Sequence, residues 1–138
     1  MNNTVANLYE LCIYDSEFSQ AVYDANDYVF LMLGFLIIPF IILLLFYRLV
    51  DPIPVKFWKW MVAVLISVTI VFAFSYYWLS SNSMYNYIMT DYSSVNMSAM
   101  SFTLLLCIWS VVFSIIPTIL FSWIFSRTIS INNAKNPF

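Results

Sequence analysis

The stretch Phe102–Phe125 reads FTLLLCIWSVVFSIIPTILFSWIF and contains no charged residue. Two further apolar stretches occupy Tyr28–Tyr47 and Phe57–Leu79, and the only charge in them is Lys59 near the start of the second. A helix of about 20 apolar residues is long enough to cross a hydrocarbon core of about 30 Å. The sequence therefore predicts an all-α polytopic membrane protein with three transmembrane helices.

Acidic and basic residues are separated along the 138-residue chain. All five basic residues lie on one side of the predicted spans: Arg48, Lys56, Lys59, Arg127 and Lys135. Six of the seven acidic residues lie on the other side: Glu10, Asp15, Glu17, Asp24, Asp27 and Asp91. Because Lys and Arg remain cytoplasmic during insertion, this pattern predicts an outer N-terminus and a cytoplasmic C-terminus. The exception is Asp51, which we interpret as the N-cap of the second span, followed by Pro52 at the first helical position.

These features divide the chain into seven segments. They are an acidic amphipathic outer tail (1–27), three spans (28–47, 57–79 and 102–125), an inner turn (48–56), an outer connection rich in Tyr and Met (80–101) and an inner tail (126–138). The spacing of apolar residues in the outer tail predicts one or two short helices lying on the outer leaflet or on a partner. The acidic character of the tail favours a protein partner over anionic lipid.

Small residues recur every fourth position in the third span. A matching row of small residues runs along one face of the second span. Together the two rows form a predicted helix-packing face: Ala63, Ser67, Ser75, Cys107, Ser110, Ser114, Thr118 and Ser122. Residues four apart share one helix face, and small side chains let two membrane helices approach closely. We therefore expect the second and third spans to pack together. The alternative is that the serine face lines a pore between several copies of the chain.

Aromatic residues and prolines suggest further local features. Aromatic and basic side chains at headgroup depth are typical anchors, and the predicted anchors are Trp58, Lys59, Trp60, Tyr76, Tyr77 and Trp78. Pro39 and Pro117 each remove a backbone donor inside a span, which predicts a kink in each helix.

The residues offer little for catalysis or transport. The chain has no His, and its acidic residues lie outside the span interiors, where proton pathways would need them. We therefore expect no enzymatic activity, no cofactor, no metal and no small-molecule substrate. No basic surface is present to bind the phosphates of nucleic acid. Cys12 and Cys107 are expected to be free thiols, and a disulfide between them would require the tail to fold back over the membrane surface.

Two functional hypotheses follow. The first is a non-enzymatic structural or anchoring subunit of a larger membrane assembly, such as a bacterial secretion or contractile-injection machine, or an accessory subunit of a respiratory complex. Its partners would be the lipid bilayer and other membrane subunits, contacted through the outer tail, the outer connection and the serine face. The composition suggests an AT-rich genome, whether bacterial or organellar. We expect the protein in a bacterial inner membrane, with an organellar membrane as the alternative. The second hypothesis is a small homo-oligomeric pore, because the number and direction of the spans resemble those of three-span phage holins.

Overall fold

The computed structural model describes residues 1–50 and 57–128. Its helices are α1 (Asn2–Glu10), α2 (Ser16–Asp24), α3 (Asp27–Leu45), α4 (Phe57–Ser81), α5 (Tyr85–Met89) and α6 (Ala99–Thr128). A π-helical turn, Phe46–Val50, continues α3. The described ranges contain no β-strand. The predicted all-α fold is therefore confirmed.

Three of these helices are long and apolar enough to cross a membrane. They comprise Asp27–Leu49 with 23 residues, Phe57–Ser81 with 25 and Ala99–Thr128 with 30. At 1.5 Å per residue, each exceeds a hydrocarbon core of about 30 Å. The prediction of three spans is confirmed, although α6 begins three residues before the predicted boundary. Its earlier start is supported by Ser98, whose hydroxyl oxygen accepts a hydrogen bond from the amide of Ser101 at 3.3 Å.

The three long helices pack against one another in all three pairings. Leu31, Val71 and Leu106, one from each helix, are fully buried in a shared apolar core. Gly34 of α3 lies against the ring of Phe74 of α4, and a β-carbon added at this glycine would overlap that ring. The missing side chain therefore lets α3 and α4 approach closely near their middle.

Pro39 and Pro117 lie inside α3 and α6, and both helices continue beyond them. Close to Pro117, the hydroxyls of Ser114 and Thr118 donate to the carbonyls of Val111 and Ser114 at 2.7 and 2.6 Å. Such bonds satisfy side-chain donors within an apolar helix. The predicted kinks stay a prediction. The predicted helix cap Asp51, the turn residues 51–56 and the tail residues 129–138 lie outside the described residues.

Candidate functional site

The two ends of the bundle differ in charge. We call the end formed by the start of α3, the end of α4 and the start of α6 the cap end, and the opposite end the basic end. Arg48, Lys59 and Arg127 lie at the basic end. About 20 residues of helix cross the apolar core, and counting 20 residues from these three reaches Tyr28, Leu79 and Cys107. Counted in this way, α6 is about two turns longer than a crossing of the apolar core requires.

The helices α1 and α2 form a closed hairpin. The side-chain amide of Asn2 donates to the Tyr23 carbonyl and to the side-chain oxygen of Asn26, both at 3.0 Å. The Tyr23 hydroxyl donates to the side-chain oxygen of Asn3. Asn26, with a φ of 58°, turns the chain directly from α2 into α3. Asn is one of the few non-glycine residues that adopts this conformation readily. The hairpin is therefore tied at its open end to the start of the first span.

Tyr9 anchors α1 in the bundle. Its side chain is fully buried, and its hydroxyl forms a hydrogen bond with the Ser110 hydroxyl at 2.9 Å. Its ring stacks on Tyr28 at 5.5 Å between centroids and meets Phe113 edge-on at 5.1 Å. Burial raises the pKa of the Tyr9 hydroxyl above its usual range. One side chain thus joins α1 to both α3 and α6.

The start of α2 is joined to the segment between α5 and α6. The carboxylate of Asp15 caps α2 by accepting from the amides of Glu17 and Phe18, at 3.1 and 3.2 Å, and also accepts from the Ser94 hydroxyl at 2.6 Å. The Tyr92 hydroxyl donates to Glu17 at 2.6 Å. The hydrogen bond to this carboxylate raises the pKa of Tyr92. Two acidic residues of the predicted outer tail therefore bind the predicted outer connection.

Aromatic packing covers one face of the start of α6. Phe18 of α2 is fully buried against Phe102 of α6 and against Tyr87 and Tyr92, with centroid distances between 5.4 and 6.0 Å. Phe102 is itself fully buried, whereas Met100 on the same turn is 41% exposed. The packing of α2 on the start of α6 therefore buries apolar and aromatic surface on that face.

Asp27 joins the first and second spans at the cap end. Its side chain is buried, and it accepts from the Trp78 indole at 3.0 Å and from the Ser83 amide at 3.3 Å. A buried carboxylate needs such donors to offset the loss of hydration. Together with the hairpin, this contact makes the cap end one hydrogen-bonded unit.

The outer surface of the hairpin carries a polar groove of about 370 Å³. It lies between α1 and α2, and its rim includes Asn3, Asn7, Glu10, Tyr14, Gln20 and Tyr23. These side chains offer amides, hydroxyls and one carboxylate. The groove can therefore form hydrogen bonds with a partner surface and attract a positive charge.

The predicted packing face is brought together inside the bundle. All eight of its residues are buried: Ala63, Ser67, Ser75, Cys107, Ser110, Ser114, Thr118 and Ser122. Ser110 also donates to the Leu106 carbonyl at 3.0 Å, while the buried hydroxyls of Ser67 and Ser75 have no hydrogen-bond partner among the described residues. The small side chains are thus buried inside the bundle, in which α4 and α6 pack against each other within a single chain.

The predicted interface anchors divide into two kinds. Trp58 and Tyr77 are about 70% exposed, as residues directed toward headgroups would be. Trp60 and Trp78 instead hold helices together, since the Trp60 indole donates to the Ser122 hydroxyl at 2.9 Å and the Trp78 indole donates to Asp27. Lys59 is partly exposed at the basic end, and Tyr76 contacts the sulfur of Met100 through its hydroxyl at 4.0 Å.

The cap end depends on residues that sequence reasoning did not single out as a site. Tyr9 belongs to the apolar row of the first predicted tail helix. That row indicated that one face of this helix packs against an apolar surface. Nothing in the sequence indicated that its target is Ser110, which lies 101 residues away. The pairing of Asp27 with Trp78 had no sequence signal either.

The fold and its apolar helices define a three-span protein of the integral membrane class. Comparison with protein-family models, with curated proteins and with solved structures finds no match for this chain. The described residues contain no group of three or more His, Cys, Asp or Glu side chains placed to hold a metal ion.

Proposed function

We propose that the chain is a non-enzymatic structural subunit of a larger membrane assembly and that the amino-terminal hairpin presents its docking surface. This proposal rests on one observation, which is the set of hydrogen bonds that holds the hairpin and the ends of the long helices together at the cap end. Asp15, Glu17 and Asp27 accept hydrogen bonds within the chain, so the hairpin has a defined position on the bundle. A rigid surface loses less entropy on binding than a mobile tail does.

The groove on the hairpin suits a protein partner. Its rim is polar, and the Glu10 carboxylate provides a negative charge. The rim of a protein interface is typically polar and hydrogen-bonded. A membrane subunit with Lys or Arg near the same bilayer surface would match this groove in charge.

The burial of the serine face favours a packing role over a pore-lining role. Ser110, Ser114 and Ser122 have no exposed surface, and Thr118 is only 2% exposed. For this buried face to line a pore between copies, the helices of the bundle would have to separate first. The proposal of a small homo-oligomeric pore resembling three-span phage holins is therefore the weaker one.

The charge pattern supports an orientation and a location. With Arg48, Lys59 and Arg127 at one end, the positive-inside rule directs the basic end to the cytoplasm and the hairpin to the outer side. We propose the bacterial inner membrane, with an organellar membrane as the alternative. A secretion or contractile-injection machine, or a respiratory complex, would supply suitable partner subunits.

Site-specific crosslinking tests the docking surface. A photoreactive amino acid is placed at Gln20 in the groove and, as the matched control, at exposed Tyr85 on α5. We expect a crosslink to a different membrane protein from Gln20 and none from Tyr85. Introducing Asn7→Trp into the groove should abolish the Gln20 crosslink while the helical content stays unchanged.

Two results would contradict the proposal. One is recovery of only an uncrosslinked monomer after purification in mild detergent. The other is depolarisation of cells on induced expression, which would support the pore instead. A further variant, Ser114→Leu, separates the two proposals, because a pore predicts altered conductance while a packing face predicts loss of the folded bundle.

A further inference from the structure

A second groove lies at the basic end, outside the cap. It has a volume of about 240 Å³ and is lined by Phe46, Trp58, Lys59, Val62, Ala63 and Ile66. Phe46 belongs to the π-helical turn that follows α3, and the other five residues belong to the first part of α4. We call it the basic-end groove. π-Helical turns are rare and often occur at functional sites.

We propose that the basic-end groove binds one anionic phospholipid, with an acyl chain along its apolar wall and the headgroup phosphate at Lys59. Among the described residues of the lining, Lys59 is the one that carries a charge, and its neighbour in sequence, Trp58, is 70% exposed. Basic pockets between membrane helices are suited to anionic headgroups. Within the described residues, every carboxylate lies at the cap end.

The length of the groove favours an acyl chain over a helix of a partner protein. From Trp58 to Ile66 the groove follows α4 for about 12 Å, at 1.5 Å per residue. One leaflet contributes about half of a hydrocarbon core of about 30 Å. A chain from the leaflet at the basic end fills such a groove, whereas a helix crossing the bilayer would need a contact surface about twice as long.

The arrangement of side chains on α4 fits the two parts of a lipid. Trp58, Val62 and Ile66 follow one another at intervals of four and form one exposed row. Val62 and Ile66 are 41% and 50% exposed, so this row faces the lipid, while Ala63 and Phe46 form the buried floor. The charged end of the groove lies at headgroup depth and the apolar end lies deeper.

Native mass spectrometry of the full chain in detergent micelles tests the proposal. The protein is exposed to equal amounts of phosphatidylglycerol and phosphatidylcholine with identical acyl chains. We expect the wild type to retain phosphatidylglycerol preferentially, and Lys59→Gln to reduce that preference about fivefold. Arg127→Gln is the matched control, since Arg127 lies over the Trp123 ring on α6 and does not line the groove.

A second pair of variants tests the apolar wall. Val62→Trp should fill the basic-end groove and abolish retention of phosphatidylglycerol. Val112→Trp, at a valine with the same 41% exposure in a groove between α4 and α6 whose described lining is uncharged, should leave retention unchanged. Circular dichroism confirms that both variants fold.

Four outcomes would overturn the proposal. The wild type could retain both lipids equally, or Lys59→Gln and Arg127→Gln could lower the preference by the same factor, which would indicate a general effect of charge. Val62→Trp could leave retention intact. Finally, the soluble headgroup glycerophosphoglycerol could displace the lipid completely, which would show that the acyl chain contributes nothing.

Discussion

The cap end and the basic end of the bundle are held together by different interactions. At the cap end, three carboxylates accept hydrogen bonds from side chains that are 51 to 79 residues away. At the basic end, α3 and α6 meet through Phe40, Phe121 and Phe125, with centroid distances of 5.4 Å from Phe40 to each of the other two rings. Hydrogen bonds are directional, whereas apolar burial is not. The comparison indicates that directional hydrogen bonds fix the position of the elements at the cap end, whereas mainly apolar ring contacts join the helices at the basic end.

The comparison also explains the distribution of charge. Acidic residues near the apolar core have partners in the protein, as Asp27 has with Trp78. The described basic residues, by contrast, lie near the ends of the long helices at the basic end, where basic side chains of membrane proteins are typically solvated by lipid phosphates and water. Removing one side chain at the cap end should therefore lower the free energy of unfolding more than a comparable change at the basic end.

Replacement of Tyr9 by Ala should give the largest effect. It removes a fully buried ring that contacts Tyr28 and Phe113, and losses of this kind cost about 3–5 kcal/mol. The hairpin should then detach from α6. In a Cys12→Ser background, reaction of Cys107 with a maleimide reports the detachment, because Cys107 is fully buried in the folded chain.

Tyr9→Phe is the matched control. It keeps the ring and removes only the hydrogen bond to Ser110, which costs about 1 kcal/mol. Cys107 should stay protected in this variant. If Tyr9→Ala also leaves Cys107 unreactive, the hairpin is held by other contacts and the cap end is not anchored as described.

Replacement of Trp78 by Phe should give the second-largest effect. The indole donates to the buried Asp27 carboxylate, and a hydrogen bond to a charged group contributes about 1.5–3 kcal/mol. The phenyl ring can keep the contacts with Phe30 and Phe74, so the change isolates the donor. The free energy of unfolding, followed by circular dichroism during titration with a denaturing detergent, measures the loss.

Replacement of Trp60 by Phe should lower the free energy of unfolding by less than Trp78→Phe does. Its indole donates to the neutral hydroxyl of Ser122, and a neutral hydrogen bond contributes about 0.5–1.5 kcal/mol. The ring contact with Phe57 can be kept. Equal losses for Trp60→Phe and Trp78→Phe would remove the energetic distinction between the two ends.

The long helices could be predicted from the sequence because each depends on one local property, a run of apolar residues without charge. The burial of the serine row was predictable for a related reason, since Ser110, Ser114 and Thr118 repeat at the helical period and so share one helix face. The contacts at the cap end could not be predicted from the sequence. They join residues as distant as Tyr9 and Ser110, and single tyrosines, serines and aspartates carry no pattern that identifies their partner.

The smallest expected effect is a change of stability with pH that depends on Asp15. Burial alone would raise the pKa of this carboxyl, but hydrogen bonds from Ser94, Phe18 and Glu17 outweigh it and hold the pKa below its usual range. The charged form is therefore favoured in the folded chain. Its contribution to stability is complete above the ordinary aspartate pKa of about 3.9 and is lost as the pH falls below it.

Asp15→Asn isolates this contribution, because Asn can still cap α2 but does not titrate. Thermal unfolding followed by tryptophan fluorescence between about pH 3 and pH 6 should show a shallower acid loss for Asp15→Asn than for the wild type. Tyr92→Phe should keep the wild-type slope, since it removes the hydrogen bond to Glu17 and leaves the partners of Asp15 in place. Parallel curves for the wild type and Asp15→Asn would mean that the Ser94 contact does not stabilise the charged carboxylate. The defined position of the cap end would then depend on its other hydrogen bonds, which include those of Asp27, Tyr9 and Glu17.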